Sequence, residues 1–207
     1  MKIHDITATI GETLPSYGDK RPNISKICTI ASGAPYNFSK FHSTTHTGTH
    51  ADMPSHFIDG GAACDNIALS KFCGRARVIR IETDTHITRE DLLPYEIPKG
   101  IILLLNTGQS KYMSQPELKK DFVALTPDAA EYLVECDVKT VGIDYLSVDP
   151  YDSEDYPVHK ILLGRGIPVL EGLVLDDVPE GDYILSAFPL KIEDGDGSPV
   201  RALLVEL

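Results

Sequence analysis

Phe41-His42-Ser43-Thr44-Thr45-His46-Thr47-Gly48-Thr49-His50-Ala51-Asp52-Met53-Pro54-Ser55-His56 carries four of the chain's seven histidines, His42 to His56, within fifteen residues. From His46 onward the spacing is H-x3-H-x-D-x3-H, so His46, His50, Asp52 and His56 would share one face of an extended chain. A straight strand nevertheless fails as a metal site. Four residues of strand span about 13 Å, whereas two nitrogen ligands each about 2 Å from one ion lie within about 4 Å of each other. A helix would bring i and i+4 histidines together, but Thr47-Gly48-Thr49 is a poor helix former and Pro54 removes a backbone donor. The remaining solution is a tight bend at Gly48, the residue that reaches positive φ without steric penalty, folding His46 back towards His50 and Asp52. Two imidazoles and a carboxylate form a donor set that suits zinc and manganese. His42 reads as a flanking residue.

Three ligands leave such a site open, which directs attention to ionisable residues in apolar surroundings. Glu171 lies in Ile167-Pro168-Val169-Leu170-Glu171-Gly172-Leu173-Val174-Leu175. An unpaired carboxylate there would cost several kcal/mol or take up a proton, and a cation resolves the difficulty. His159 precedes Lys160-Ile161-Leu162-Leu163 on a helical stretch just ahead of that run. Asp144, at the end of an aliphatic strand, is read either as a carboxylate that orients a metal ligand or as one that caps a loop. His4 and His86 have no such neighbours, and read as core or surface residues.

Around these residues the chain is an ordinary globular sequence of 207 residues, 42% hydrophobic and 24% charged, with a formal charge of −12. The acidic balance and the lack of a basic stripe argue against nucleic acid and anionic membranes as partners. The first residues alternate polar and apolar and provide no secretory h-region, and the aliphatic run Ile101–Leu105 is too short to cross a bilayer. Cys28, Cys64, Cys73 and Cys136 form no C-x-x-C pair, which fits reduced, mostly buried thiols in a cytoplasmic protein. Nucleophile-elbow and P-loop patterns are absent.

Residues 1–207 read as one α/β domain with a mixed sheet and flanking helices. Strand candidates are 2–10, 26–30, 75–82, 100–106, 139–144, 167–170, 183–187 and 201–206. Helices are expected after Thr88, whose partner three residues on is Asp91, from Thr126-Pro127-Asp128 to Cys136, and over 152–164.

With these residues in view, the sequence resembles the cyclase-like family of metal-dependent hydrolases that includes the bacterial arylformamidases. His46-Thr47-Gly48-Thr49-His50-Ala51-Asp52-Met53-Pro54-Ser55-His56 fills every chemical position of that family's H-x-G-x-H-x-D-x-P-x-H signature. Gly142-Ile143-Asp144, Ser147-Val148-Asp149-Pro150, His159, Glu171 and Asp196-Gly197-Ser198-Pro199-Val200-Arg201-Ala202 follow in the family's order. The resemblance implies a swivelling β/β/α fold, a homodimer and two divalent ions per chain, zinc in the first place and manganese as the alternative. It implies that His46, His50 and Asp52 hold one ion, that Asp52 bridges to a second held by His159 and Glu171, and that His56 is the acid/base. Tyr17 occupies the loop in which the kynurenine-cleaving members place a tryptophan, a residue this chain lacks, and is expected to bind substrate. The activity implied is hydrolysis of an N-formyl or arylformamide bond in a small molecule. Alternatives on the same site are hydrolysis of a cyclic amide of the isatin or lactam type, a cyclase or dehydratase reaction, and a non-catalytic metal-binding dimer.

Overall fold

Every residue from Ile102 to Asn106 is buried, and the period of two sends Leu103 and Leu105 into one apolar core while Ile102 and Leu104 enter another. A strand of this kind needs cover on both faces. The computed structural model, which describes residues 1–17 and 21–206, provides it. In chain order its strands are β1 (Ile3–Asp5), β2 (Asn23–Cys28), β3 (Phe38–His42), β4 (His50–Asp52), β5 (Cys73–Arg80), β6 (His86–Ile87), β7 (Ile102–Asn106), β8 (Ala124–Leu125), β9 (Thr140–Ile143), β10 (Val169–Glu171), β11 (Gly181–Ser186), β12 (Gly197–Pro199) and β13 (Leu203–Glu206). The helices are α1 (Arg89–Leu92), α2 (Pro127–Glu135) and α3 (Pro157–Gly164).

Nine strands form a mixed α/β sheet in the order β1-β13-β11-β5-β7-β9-β10-β4-β12. Its centre, β5-β7-β9-β10, is parallel, and the strands on both sides join antiparallel. One face packs on the helices through Leu103, Leu105, Val141 and Val169 against Leu92, Leu133, Val158 and Leu162. The other face curls over a core shared by strands from both halves of the sheet, with Leu204 and Leu185 meeting Val78, Leu104, Leu170 and Ala51. The curl closes where Thr7 bridges Leu173 and the Val174 amide donates to the Ile6 carbonyl at 3.0 Å. Pairs β2-β3 and β6-β8 stand apart as two small sheets.

Several elements differ from the sequence reading. The helix expected over 152–164 starts at Pro157, because the residue before a proline is disfavoured in the α region, and Tyr156 sits instead at φ 48°. Thr126 does not cap α2 through its side chain, since its hydroxyl donates to the Ile87 carbonyl at 3.1 Å. The box between Thr88 and Asp91 forms as expected. The first strand stops at Asp5, and Ile30 begins a 3-10 turn. The thiols are all free, but Cys64 alone is buried while Cys28, Cys73 and Cys136 are partly exposed. None of the described helices is long and apolar enough to cross a membrane.

Candidate metal centre and pocket

The short strand β4 lies between β10 and β12, with His50 opposite Glu171 and Asp52 opposite Gly197. Alternation turns Ala51 into the core and leaves His50 and Asp52 on the other side. Cross-strand pairing then brings His50 Nε2 to 3.4 Å from Glu171 Oε2, while along β4 itself Asp52 Oδ1 lies 3.3 Å from the same nitrogen. The chain bends just before β4 at Gly48, φ +64°. That bend returns His46, whose Nδ1 lies 2.7 Å from Asp52 Oδ1. Glycine is needed again at Gly172, φ +66°, where an added Cβ would lie 2.4 Å from the Gly48 carbonyl oxygen. Thr49 fastens the same corner, donating to the Gly172 carbonyl at 2.5 Å and accepting from the Ala8 amide at 2.7 Å.

Helix α3 supplies His159. Asp149 is fully buried and accepts from the amides of Val158 and His159 and from His159 Nδ1, at 3.0, 2.9 and 2.6 Å. The bond fixes the tautomer. His159 Nε2 is left facing Asp52 Oδ2 and Glu171 Oε1, each at 3.2 Å. His50 is oriented in the same way, Nδ1 donating to the Gly48 carbonyl at 2.8 Å. His56 ends the turn Pro54–His56, its ring stacked on His46 at 4.0 Å between centroids.

The potential ligand atoms gather in two groups, His46–Asp52–His56 and His50–Asp52–Glu171, each within 4.8 Å. Asp52 belongs to both. In these groups His50 sits with Glu171, on the opposite strand, and His56 adjoins His46 and Asp52.

Charge in this cluster is strongly coupled. Burial opposes the ionised forms of Asp52 and Glu171, yet imidazole hydrogen bonds outweigh it and hold both carboxyls below their usual range. Burial opposes the imidazoliums too. Asp52 and Glu171 still push His50 up to about 10, His159 is held well above its ordinary value by Asp149, Asp52 and Glu171, and His46 is raised mainly by Asp52. His56 goes the other way, lowered by burial and by the neighbouring His46 and His159. The side chains alone therefore collect protons around two buried carboxylates. Nitrogen and oxygen donors that release their protons to solvent when a divalent ion binds, with outer partners already fixed, fit such an ion well.

Asp149 and Asp196 lie in segments that follow the family's order, and nothing in their spacing marks either as part of the centre. Asp196 Oδ2 lies 3.1 Å from His46 Nε2 and 3.5 Å from His56 Nδ1. Of the two roles left open for Asp144, the loop cap is the one observed: it accepts from the amides of Thr107 and Gln109 and from the Thr107 hydroxyl. His42 and His86 are exposed, and His4 pairs with Glu206 at 2.8 Å. None of the three joins the centre.

The cluster forms one wall of a cavity of about 480 Å³, faced by Pro15, Tyr17, Phe57, Leu146 and Tyr156. Tyr17 is stacked on Tyr151, ring centroids 5.3 Å apart and planes 4° from parallel. Polar groups converging at one end of an apolar cleft of this size suit a small organic molecule.

A solved structure described as a potential metal-dependent hydrolase with cyclase activity is 34% identical, with a TM-score of 0.85 over 98% of this chain and 96% of its own. Isatin hydrolase A from Ralstonia solanacearum is 30% identical, with a TM-score of 0.88 over 99% and 92%. The kynurenine formamidase of Polaromonas naphthalenivorans is 37% identical over 215 residues, covering 100% of this chain and 92% of the relative. Together with the buried donor cluster, these likenesses make the protein a metal-dependent hydrolase. Within that class the Cyclase family matches residues 4–150, and the chain belongs to that family.

Proposed function

We propose that this enzyme hydrolyses the amide bond of an N-formyl derivative of a small aromatic amine, with His46, His50, Asp52, His159 and Glu171 holding up to two divalent ions. Zinc is the first choice and manganese the second, since mixed nitrogen and oxygen donors serve both. The observation that carries the reading is the sharing of Asp52 between two donor groups at the polar end of an aromatic-walled cavity. The name of the Polaromonas relative supports the formamide class.

When bound, divalent ions in such a cradle lower the pKa of water towards neutrality and polarise a carbonyl. The protein's own part is proton transfer and positioning. His56 takes a proton from the water whose oxygen attacks the formyl carbon. It returns that proton to the amine nitrogen as the carbon–nitrogen bond breaks, releasing formate and the free amine. Tyr17, braced by Tyr151, packs against the substrate ring.

A cyclic amide is the second reading, supported by the isatin hydrolase likeness over nearly the whole chain. A homodimer of single-domain subunits completes the proposal. Its support is the β2-β3 hairpin, where Ile24, Ile27, Phe38 and Phe41 are each more than half exposed. No acidic residue occurs from Arg21 to Ala51 although the chain carries −12 overall, so this apolar, basic arm complements the acidic surface of a second copy. The free thiols support a cytoplasmic setting.

The test compares turnover of N-formylkynurenine and isatin by metal-loaded wild type and His56→Ala, with bound metal measured on the same samples. The proposal expects the formamide to be preferred, and a loss of about 10²–10⁴-fold in His56→Ala with metal retained. Loss of metal with activity would make His56 a ligand, and wild-type turnover would remove it from the mechanism.

A further inference from the structure

Asp196 reaches the centre from the far end of the chain, 150 residues beyond His46. Its two neighbours are both glycines in tight quarters. A Cβ at Gly197 would lie 2.6 Å from His46 Cε1, and one at Gly195 would lie 2.9 Å from Ile192 Cβ and 3.1 Å from Cys64 Sγ. The backbone can bring the carboxylate against the imidazoles only because neither neighbour has a side chain.

The rest of the residue is tied down. Its carbonyl accepts from the Met53 amide at 3.0 Å, and Oδ1 accepts from the Thr45 hydroxyl at 2.9 Å. Oδ2 remains, turned towards His46 Nε2 and His56 Nδ1. His46 presents its other nitrogen to Asp52. With His56 Nδ1 turned to Asp196, Nε2 is the nitrogen left for a reacting molecule in the cavity that His56 lines.

We infer that Asp196 is a positioning residue for the hydrolysis, a carboxylate that aligns the stacked pair His46 and His56 and presents His56 Nε2 to the reacting atoms. The inference rests on the proposed role of His56. Such a partner sets ring orientation and tautomer without touching substrate. The side chain is 46% exposed, so its replacement leaves the core intact.

The test is a double-mutant cycle with zinc-loaded enzyme and an arylformamide, with kcat, KM and bound zinc read on each preparation. Asp196→Ala should lower kcat about 10- to 100-fold, the usual weight of an orienting partner, with KM and zinc content within about twofold of wild type. Asp196→Asn, which keeps an oxygen able to accept from Nδ1, should recover several-fold of that loss. Introducing Asp196→Ala into His56→Ala should cost far less than it does in the wild type, because residues acting as a unit are non-additive. Three results would each overturn the inference: wild-type kcat in Asp196→Ala, a kcat loss that tracks lost zinc, or an undiminished further loss in the double variant. A fully active His56→Ala would overturn the underlying reading instead, so the two failures are separable.

Discussion

The metal centre and the β2-β3 hairpin stand at opposite extremes of the same chain. In the centre, charged groups are buried and nearly every polar atom has a partner. On the hairpin, large apolar side chains face outward, and its two strands pair only with each other. Burying charge without a counter-ion costs several kcal/mol, and exposing an apolar ribbon invites association. The first region is suited to take up a cation and the second to meet another protein surface.

The largest effect expected from breaking this comparison lies in the centre. Glu171→Ala removes the carboxylate that faces both His50 and His159. Metal content should fall by about half or more and hydrolysis to background, as measured by elemental analysis and turnover on one preparation. Full metal content would show that Glu171 is not a ligand.

A second, intermediate effect separates the metal-free from the loaded protein. His50 rises from 6.5 to about 10 in the folded state without an ion. A raised imidazole contributes stability that is fully present below pH 6.5 and lost as pH climbs through 10. The melting temperature of chelator-treated protein should therefore fall across that window. Metal-loaded protein, in which the ion has replaced the proton, should show a flatter profile. Parallel profiles would refute the exchange of protons for metal.

The smallest effect on turnover should come from the other region. Phe41→Asp places a charge on the exposed face of the hairpin. Sedimentation at micromolar concentration should give a monomer where wild type gives a dimer, with the melting temperature of the isolated subunit little changed. An unaltered sedimentation coefficient would detach the hairpin from assembly.

The centre was more legible in the sequence than the hairpin because much of its information is local. His46, Gly48, His50 and Asp52 declare a bend and a donor set within seven residues, and Glu171 betrays itself by its apolar neighbours. A straight strand cannot bring His46 to His50, and β4 is a strand only over His50–Asp52. Convergence comes from the Gly48 bend on one side and from a side chain on β10 across the sheet, and the second is invisible to spacing. Asp149 and Asp196 were illegible for the same reason, since an aspartate in a turn reads as a turn former until packing sets an imidazole beside it. Phe38-Ser39-Lys40-Phe41-His42 illustrates the opposite difficulty. Its residues are of ordinary strand types, and nothing in their order shows that both faces are left open.

The contact between Gly48 and Gly172 has a further consequence. With the backbone at one almost touching the space a methyl group would need at the other, the bend carrying His46 and the strand end carrying Glu171 are locked as a single block. Thr49 binds that block to the first strand's continuation at Ala8. Adaptation of this scaffold to new substrates therefore has little freedom on that side. The cavity residues Tyr17, Phe57 and Tyr156 stand outside that interlock and leave more room for change, although Phe57 and Tyr156 pack on each other, ring centroids 5.3 Å apart, and would have to vary together.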